Sequence, residues 1–245
     1  MMKRVRRIVS RVGAWLDDLL FPEDVLCLCC DRALGREDED GVCHSCRMAL
    51  DRLARRQQAR EEQEKGACPD GLTYIRSAYV YEGPARQLIR RLKYESVRLA
   101  AESLAKQMIC LPVGDAQIIV PVPTDKRRER VRGFNQSALL AEHVGKALGM
   151  PVVPALRRIE HRPPQTGLPA KERYKNLVGC MTADERVRGR RVLLIDDVYT
   201  TGSTVSEAAR ALYEAGAGSI GVITAARASG EKDEALDPFV PAKRA

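Results

Sequence analysis

The 245-residue chain is long enough to bury a substantial core, as one main domain with a smaller appendage, and its 44% hydrophobic and 30% charged residues describe a globular protein. No apolar run approaches the roughly 18 residues of a membrane span. The net charge of +8 is unevenly placed: residues 1–66 carry 13 Lys/Arg against 13 Asp/Glu, so the whole excess lies beyond them, with +4 in Lys126–Arg132 and +4 in Arg157–Lys175.

Two such basic loops fit a multiply anionic ligand, and charge alone does not choose between a small phosphorylated molecule and nucleic acid. The chain opens with "MMKRVRRIVSRVGAWLDDLLFP", where Arg11, Asp17 and Asp18 interrupt any signal-peptide apolar region. Val5, Ile8, Val9, Val12, Trp15, Leu16, Leu19 and Leu20 recur at helical spacing. This predicts an amphipathic helix docked on its own protein, rather than on a membrane surface, and a cytoplasmic location.

Cys27, Cys30, Cys43 and Cys46 follow as C-x2-C-x12-C-x2-C. Each pair can form a tight knuckle, and the loop "DRALGREDEDGV" returns the second pair to complete a tetrahedron suited to a structural Zn²⁺. Four thiolates close such a site, so it stabilises structure and does no chemistry. Cys29 would spoil the two-residue spacing and His44 lies inside the second knuckle, so neither is taken as a ligand. Cys68, Cys110 and Cys180 are scattered. A polar helix over "ALDRLARRQQAREEQEKGA" fades near Gly66, which gives the expected organisation: a helix and zinc ribbon over 1–66, a larger domain over 67–228 and a loose tail over 229–245.

In the larger part, strand-like "LTYIRSAYVY", "AQIIVPVP", "RVLLIDDV" and "SIGVITAARA" alternate with helical "GPARQLIRRLKY", "SVRLAAESLAKQMI", "NQSALLAEHVGKALG" and "STVSEAARALYEAGA". Short apolar strands between amphipathic helices imply an α/β fold, a parallel sheet with helices on both faces. Ligands in such folds bind at the carboxyl ends of strands. Two segments lie there: "PVPTDKRR" and "DDVYTTGST". In the second, Thr200, Thr201, Gly202, Ser203 and Thr204 link a strand to a helix start, whose N–H groups and dipole attract phosphate. No G-x-x-x-x-G-K-[ST] loop is present, so a triphosphate is not the expected ligand.

An apolar strand, two acids, two spacers and T-T-G-S-T resemble the signature of type I phosphoribosyltransferases, which bind phosphoribosyl pyrophosphate. By that resemblance, Asp196 and Asp197 accept hydrogen bonds from the ribose hydroxyls, directly or through Mg²⁺, and Thr200–Thr204 hold the 5′-phosphate. "PVPTDKRRERVRGFNQS", "QTGLPAKERYKNL" and "LLIDDVYTTGST", preceded by the cysteine ribbon and "LKY", are similar to the ComF family of competence-associated, phosphoribosyltransferase-like proteins over residues 15–228. The family's "LFP-x2-C" start is altered here to "LFPEDVLC". The resemblance implies a pyrophosphate loop over Val120–Lys126. Its prolines lack N–H groups, so its donors come from Val122, Thr124, Asp125 and Lys126. It further implies that Arg132, Gly133, Asn135 and Gln136, with Gln165, Lys171, Arg173 and Asn176, cover or line the site.

Two functions stay open on these residues. One is ribosyl transfer to a nitrogenous acceptor, with Mg²⁺ and basic side chains neutralising the leaving pyrophosphate, Asp196 and Asp197 at the reacting sugar, and no covalent nucleophile. Among the histidines, His143 falls mid-helix and His161 is the better placed for ligand contact. The other is a non-catalytic phosphoribosyl-binding role in DNA uptake, in which the ribbon recruits a partner and the basic loops touch single-stranded DNA. There Phe134, beside Arg132, offers one ring to a base. The acceptor, the partner and the oligomeric state are not legible.

Overall fold

The computed structural model describes residues 26–64, 68, 71–95, 97–159 and 179–228. The expected N-terminal helix, the tail over 229–245, and His161, Gln165, Lys171, Arg173 and Asn176 lie outside the described residues.

In chain order the elements are α1 (His44–Gln63), β1 (Tyr74–Val80), α2 (Gly83–Tyr94), α3 (Leu99–Met108), β2 (Ile118–Pro121), α4 (Lys126–Arg132), α5 (Gln136–Leu148), β3 (Leu156–Arg158), β4 (Met181–Ala183), β5 (Arg191–Tyr199), α6 (Ser203–Glu214) and β6 (Ser219–Arg227). Strands β1, β6, β5 and β2 form one sheet in that order, each neighbouring pair parallel. Residues next to Val152 pair with Ile119 and prolong the sheet beyond β2.

The expected parallel sheet with helices on both faces is present, and β5 shows why. Leu193 and Ile195 enter one buried cluster with α2, α3 and α5, while Val192 and Leu194 enter the other with α6. A strand apolar on both sides is stable only when both faces are covered. Each of these four side chains is at most 1% exposed, and burial of a Val, Leu or Ile stabilises by roughly 1.5–3 kcal/mol. On α2, Ala85, Leu88, Ile89 and Leu92 form the matching helical stripe, all fully buried.

The cysteine segment shares the first cluster: Cys27, Leu28, Val42, Leu50 and Leu53 pack with Tyr79 of β1 and with α2. Arg91 of α2 donates from Nε to Leu28 O at 2.7 Å and pairs with Asp31. Ser103 of α3 donates to Asp40 O at 2.8 Å. Along the sheet edge, Glu61 of α1 accepts the Ser77 N–H at 2.7 Å, occupying an edge donor that would otherwise be open to another strand.

Three elements were not expected. The first basic loop is in part a helix, α4, started by Asp125, whose Oδ1 accepts the Arg127 and Arg128 N–H groups, and ended by Gly133 at φ 80°. Strands β3 and β4 form a separate antiparallel pair. Glu207 of α6 holds that pair by accepting the Met181 N–H at 2.9 Å, and Arg210 donates to Met181 O at 3.0 Å.

Candidate functional site

Adjacent strands β2 and β5 send their chains to opposite faces, β2 to α5 and β5 to α6. The chain ends therefore diverge and leave a crevice at the carboxyl edge of the sheet. A cavity of about 600 Å³ opens there. From β5 and its turn it is lined by Asp196, Asp197, Thr200 and Thr204, from the β2 end by Val122, Thr124 and Asp125, and from α4 and α5 by Arg128, Arg132, Gln136 and Ser137. Helix α2 and β3 add Arg86, Arg90, Lys93, Tyr94 and Arg158, so six cationic side chains and three carboxylates share the walls.

The two acids differ in setting. Asp196 is 9% exposed, and its Oδ1 accepts from Ser137 Oγ at 2.9 Å and from the Asp197 N–H at 2.9 Å. Burial, and then the neighbouring Asp197 charge, raise its pKa to about 7 against those hydrogen bonds and Lys93. Asp197 stands 3.0 Å from the Lys93 ammonium. Burial works against the Lys93 charge, but Asp197 offsets it and holds the pKa above the usual lysine range.

Beyond the acids, Thr200 and Thr204 face the cavity, and Gly202 starts α6 at φ 77°. An added Cβ there would fall 2.6 Å from the Tyr199 hydroxyl, so both the turn and its packing require glycine. Thr201 and Ser203 do not line the cavity; their hydroxyls lie 2.9 Å apart and bond to each other.

The β2 side corrects several expectations. Val120 and Pro121 belong to β2 and Lys126 begins α4, so the connecting loop is only residues 122–125. Val122 offers no donor, because its N–H is spent on Ile195 O at 2.9 Å, continuing the ladder past β2. Neither Lys126 nor Gly133 lines the cavity. Asn135 caps α5, accepting the Ser137 N–H at 3.0 Å and donating to Val122 O at 3.0 Å, which is a scaffold role. Half-buried Phe134 packs against the core with the Arg98 guanidinium 5.4 Å from its ring centroid, so its ring is engaged within the protein. Arg132 and Gln136 do line the cavity and bond to each other at 2.9 Å.

No residue of α2 is among the expected site residues, though "LKY" (92–94) belongs to the family resemblance. Arg86, Arg90 and Lys93 follow the i, i+4, i+7 spacing beside the apolar stripe of 85, 88, 89 and 92. Spacing places them on one face; only the tertiary fold turns that face towards β5.

At the other end of the described chain, the Sγ atoms of Cys27, Cys30, Cys43 and Cys46 all lie within 4.8 Å of one another. The first knuckle is the turn after Cys27, and the second is the start of α1, where Cys43 is the cap residue. The N–H groups of Cys29 and Cys43 point at Cys27 Sγ from 3.4 and 3.3 Å. Burial alone would raise the Cys27 pKa, yet backbone N–H groups bring it down to about 7, a thiolate-favouring setting. Burial instead pushes Cys29 up to about 12, and it stays outside the cluster, as does exposed His44. Four sulfur donors at this spacing fit a tetrahedral soft-metal site.

The phosphoribosyl transferase domain family matches residues 135–241, from the start of α5 through the acids and the T-T-G-S-T turn. Competence protein F of Haemophilus influenzae is 34% identical over 161 residues, covering 60% of this chain and 70% of that protein. The chain belongs to the ComF family. A second ComF relative, competence protein ComFC of Bacillus subtilis, is 26% identical over 221 residues, 78% of this chain and 90% of that protein. DNA utilization protein YhgH of Escherichia coli is 35% identical over 152 residues, 58% of this chain and 66% of that protein. Among the described residues no helix is long and apolar enough to cross a membrane.

Proposed function

We propose that this ComF protein binds phosphoribosyl pyrophosphate in the β2–β5 cavity and transfers its phosphoribosyl group to a nitrogenous acceptor. The observation that carries this reading is the juxtaposition along one wall of two carboxylates and a phosphate-type turn, facing an excess of cations. A ligand with neutral hydroxyls between two anionic ends matches that order. Asp196 and Asp197 accept from the ribose hydroxyls, and Thr200, Thr204 and the first turn of α6 hold the 5′-phosphate. Arg128, Arg132 and Arg158, with donors from Thr124 and Asp125, face the pyrophosphate end.

The leaving pyrophosphate would put oxocarbenium-like positive charge on the sugar, so acceleration comes from positioning and from carboxylates already in place near that charge. A Mg²⁺ ion, when bound, supplies charge neutralisation on the pyrophosphate, and Asp197 is the carboxylate best placed to share it with ligand oxygens. In the ribbon, Cys27, Cys30, Cys43 and Cys46 would hold a structural Zn²⁺ that ties the chain before α1 to the main core.

Transfer predicts pyrophosphate release when the protein, phosphoribosyl pyrophosphate and Mg²⁺ are incubated with a panel of nucleobases and other nitrogen nucleophiles. Release dependent on both acceptor and acids supports it. Tight ligand binding with no release by any acceptor would instead favour the second reading, an accessory role in handling DNA. That reading is supported by the names of the competence and DNA utilization relatives and by the exposed basic α4.

A further inference from the structure

We infer that Lys93 is a resident counter-cation that keeps the acid pair closed to free divalent metal, so that metal enters only together with a phosphorylated ligand. The inference rests on the proposed use of Asp197, and its test is independent of whether a phosphoribosyl ligand binds.

Lys93 Nζ lies 3.0 Å from Asp197 Oδ1, and the two side chains are only 21% and 15% exposed. A pair so sheltered is not an interchangeable surface contact, since separating it would leave both charges poorly hydrated. Nor is its position accidental. Lys93 follows the fully buried Leu92 in the last turn of α2, whose apolar stripe is fixed on the sheet. The helix therefore delivers the ammonium to the end of β5.

The other carboxylates of the cavity each commit one oxygen to the scaffold: Asp125 Oδ1 caps α4, and Asp196 Oδ1 takes two donors. Asp197 is thus the carboxylate at which an incoming cation would settle, and an ammonium stands there. Mg²⁺ dehydrates reluctantly and is usually held by one or two carboxylates plus substrate phosphates. With one carboxylate neutralised, the free site offers such an ion too little. A ligand carrying pyrophosphate restores the missing oxygens and charge, and the flexible four-carbon stem lets Lys93 yield.

The test is titration of Mn²⁺, read by the loss of its free electron paramagnetic resonance signal, on the full chain without any phosphorylated ligand. Wild type and Lys93→Arg should leave Mn²⁺ essentially unbound at the acid pair. Lys93→Met, with Lys93→Gln as a second variant in case the first fails to fold, should bind one Mn²⁺ at least about tenfold more tightly. That site should vanish in Lys93→Met/Asp197→Asn. Equal Mn²⁺ affinity in wild type and the neutral variants, or binding that survives loss of Asp197, would overturn the inference. Separate calorimetry with phosphoribosyl pyrophosphate reports on the ligand itself, so the two failures are distinguishable.

Discussion

Ser137 Oγ donates to Asp196 Oδ1 at 2.9 Å, joining the first turn of α5 to the end of β5 across 59 residues. This bond favours the charged carboxylate, while burial and Asp197 favour the neutral acid, and the balance leaves the pKa at about 7. An Asp196 that accepts from ribose hydroxyls works best ionised. Ligand affinity should therefore rise with pH through about 7, and Ser137→Ala should move that midpoint upward by about one unit. A pH series of dissociation constants for the two proteins reads both effects; an unmoved midpoint contradicts the role given to Ser137.

The same shift has a stability consequence of fixed sign. The folded pKa lies above the unfolded value of about 4, so the folded state binds more protons between them. Its contribution is complete below about pH 4 and is lost as pH rises through about 7. Asp196→Asn keeps an acceptor for Ser137 and the Asp197 N–H but removes the charge. It should raise the melting temperature of the ligand-free protein at pH 8, by about 2–4 °C per kcal/mol recovered, with little change near pH 4. Thermal melts at the two pH values check this.

Glu207 is the buried half of the clamp on the β3–β4 pair, its side chain 3% exposed against 30% for Arg210. Burial raises its pKa, but Arg210 and the Met181 N–H bring it below the usual range. Glu207→Ala strands that N–H and part of the guanidinium. It should cost about 2 kcal/mol in urea unfolding, and because Arg158 reaches the cavity from β3, ligand affinity should fall as well.

The cysteine segment predicts a whole-chain effect. Because Leu28, Val42, Leu50 and Leu53 share a core with the sheet, stripping metal with a chelator should lower the unfolding temperature of the entire protein, not of a separate unit. Reductively purified protein should contain about one Zn²⁺ per chain, and Cys43→Ser should lose it. Metal-free wild type with an unchanged melt contradicts this.

Much of the fold is legible in the sequence. The alternation of apolar strands with helices is a period signal, and it placed the sheet and the carboxyl-edge site. The C-x2-C pairs are a local signal, since a knuckle spans few residues. The lapses are also physical. A helix such as α4, with no buried residue, leaves no apolar periodicity and shows only its Asp125 cap and Gly133 stop. The N–H of Val122 is lost to Ile195, a partner 73 residues away that only sheet register reveals. Phe134 was offered to a base because local sequence put it beside Arg132, whereas Arg98 and the core hold it. The cations of α2 sat in plain view, but which way their face turns is a tertiary fact.

On the proposed function, the acids at the end of β5 and the turn after them hold one phosphoribosyl ligand. Isothermal calorimetry of the full chain with phosphoribosyl pyrophosphate and Mg²⁺, repeated on Asp196→Asn/Asp197→Asn, tests it most directly. The wild type should bind one ligand saturably, and the folded double variant should lose at least about tenfold in affinity. Absence of binding by the wild type, or equal binding by both proteins, would contradict the assignment of this cavity.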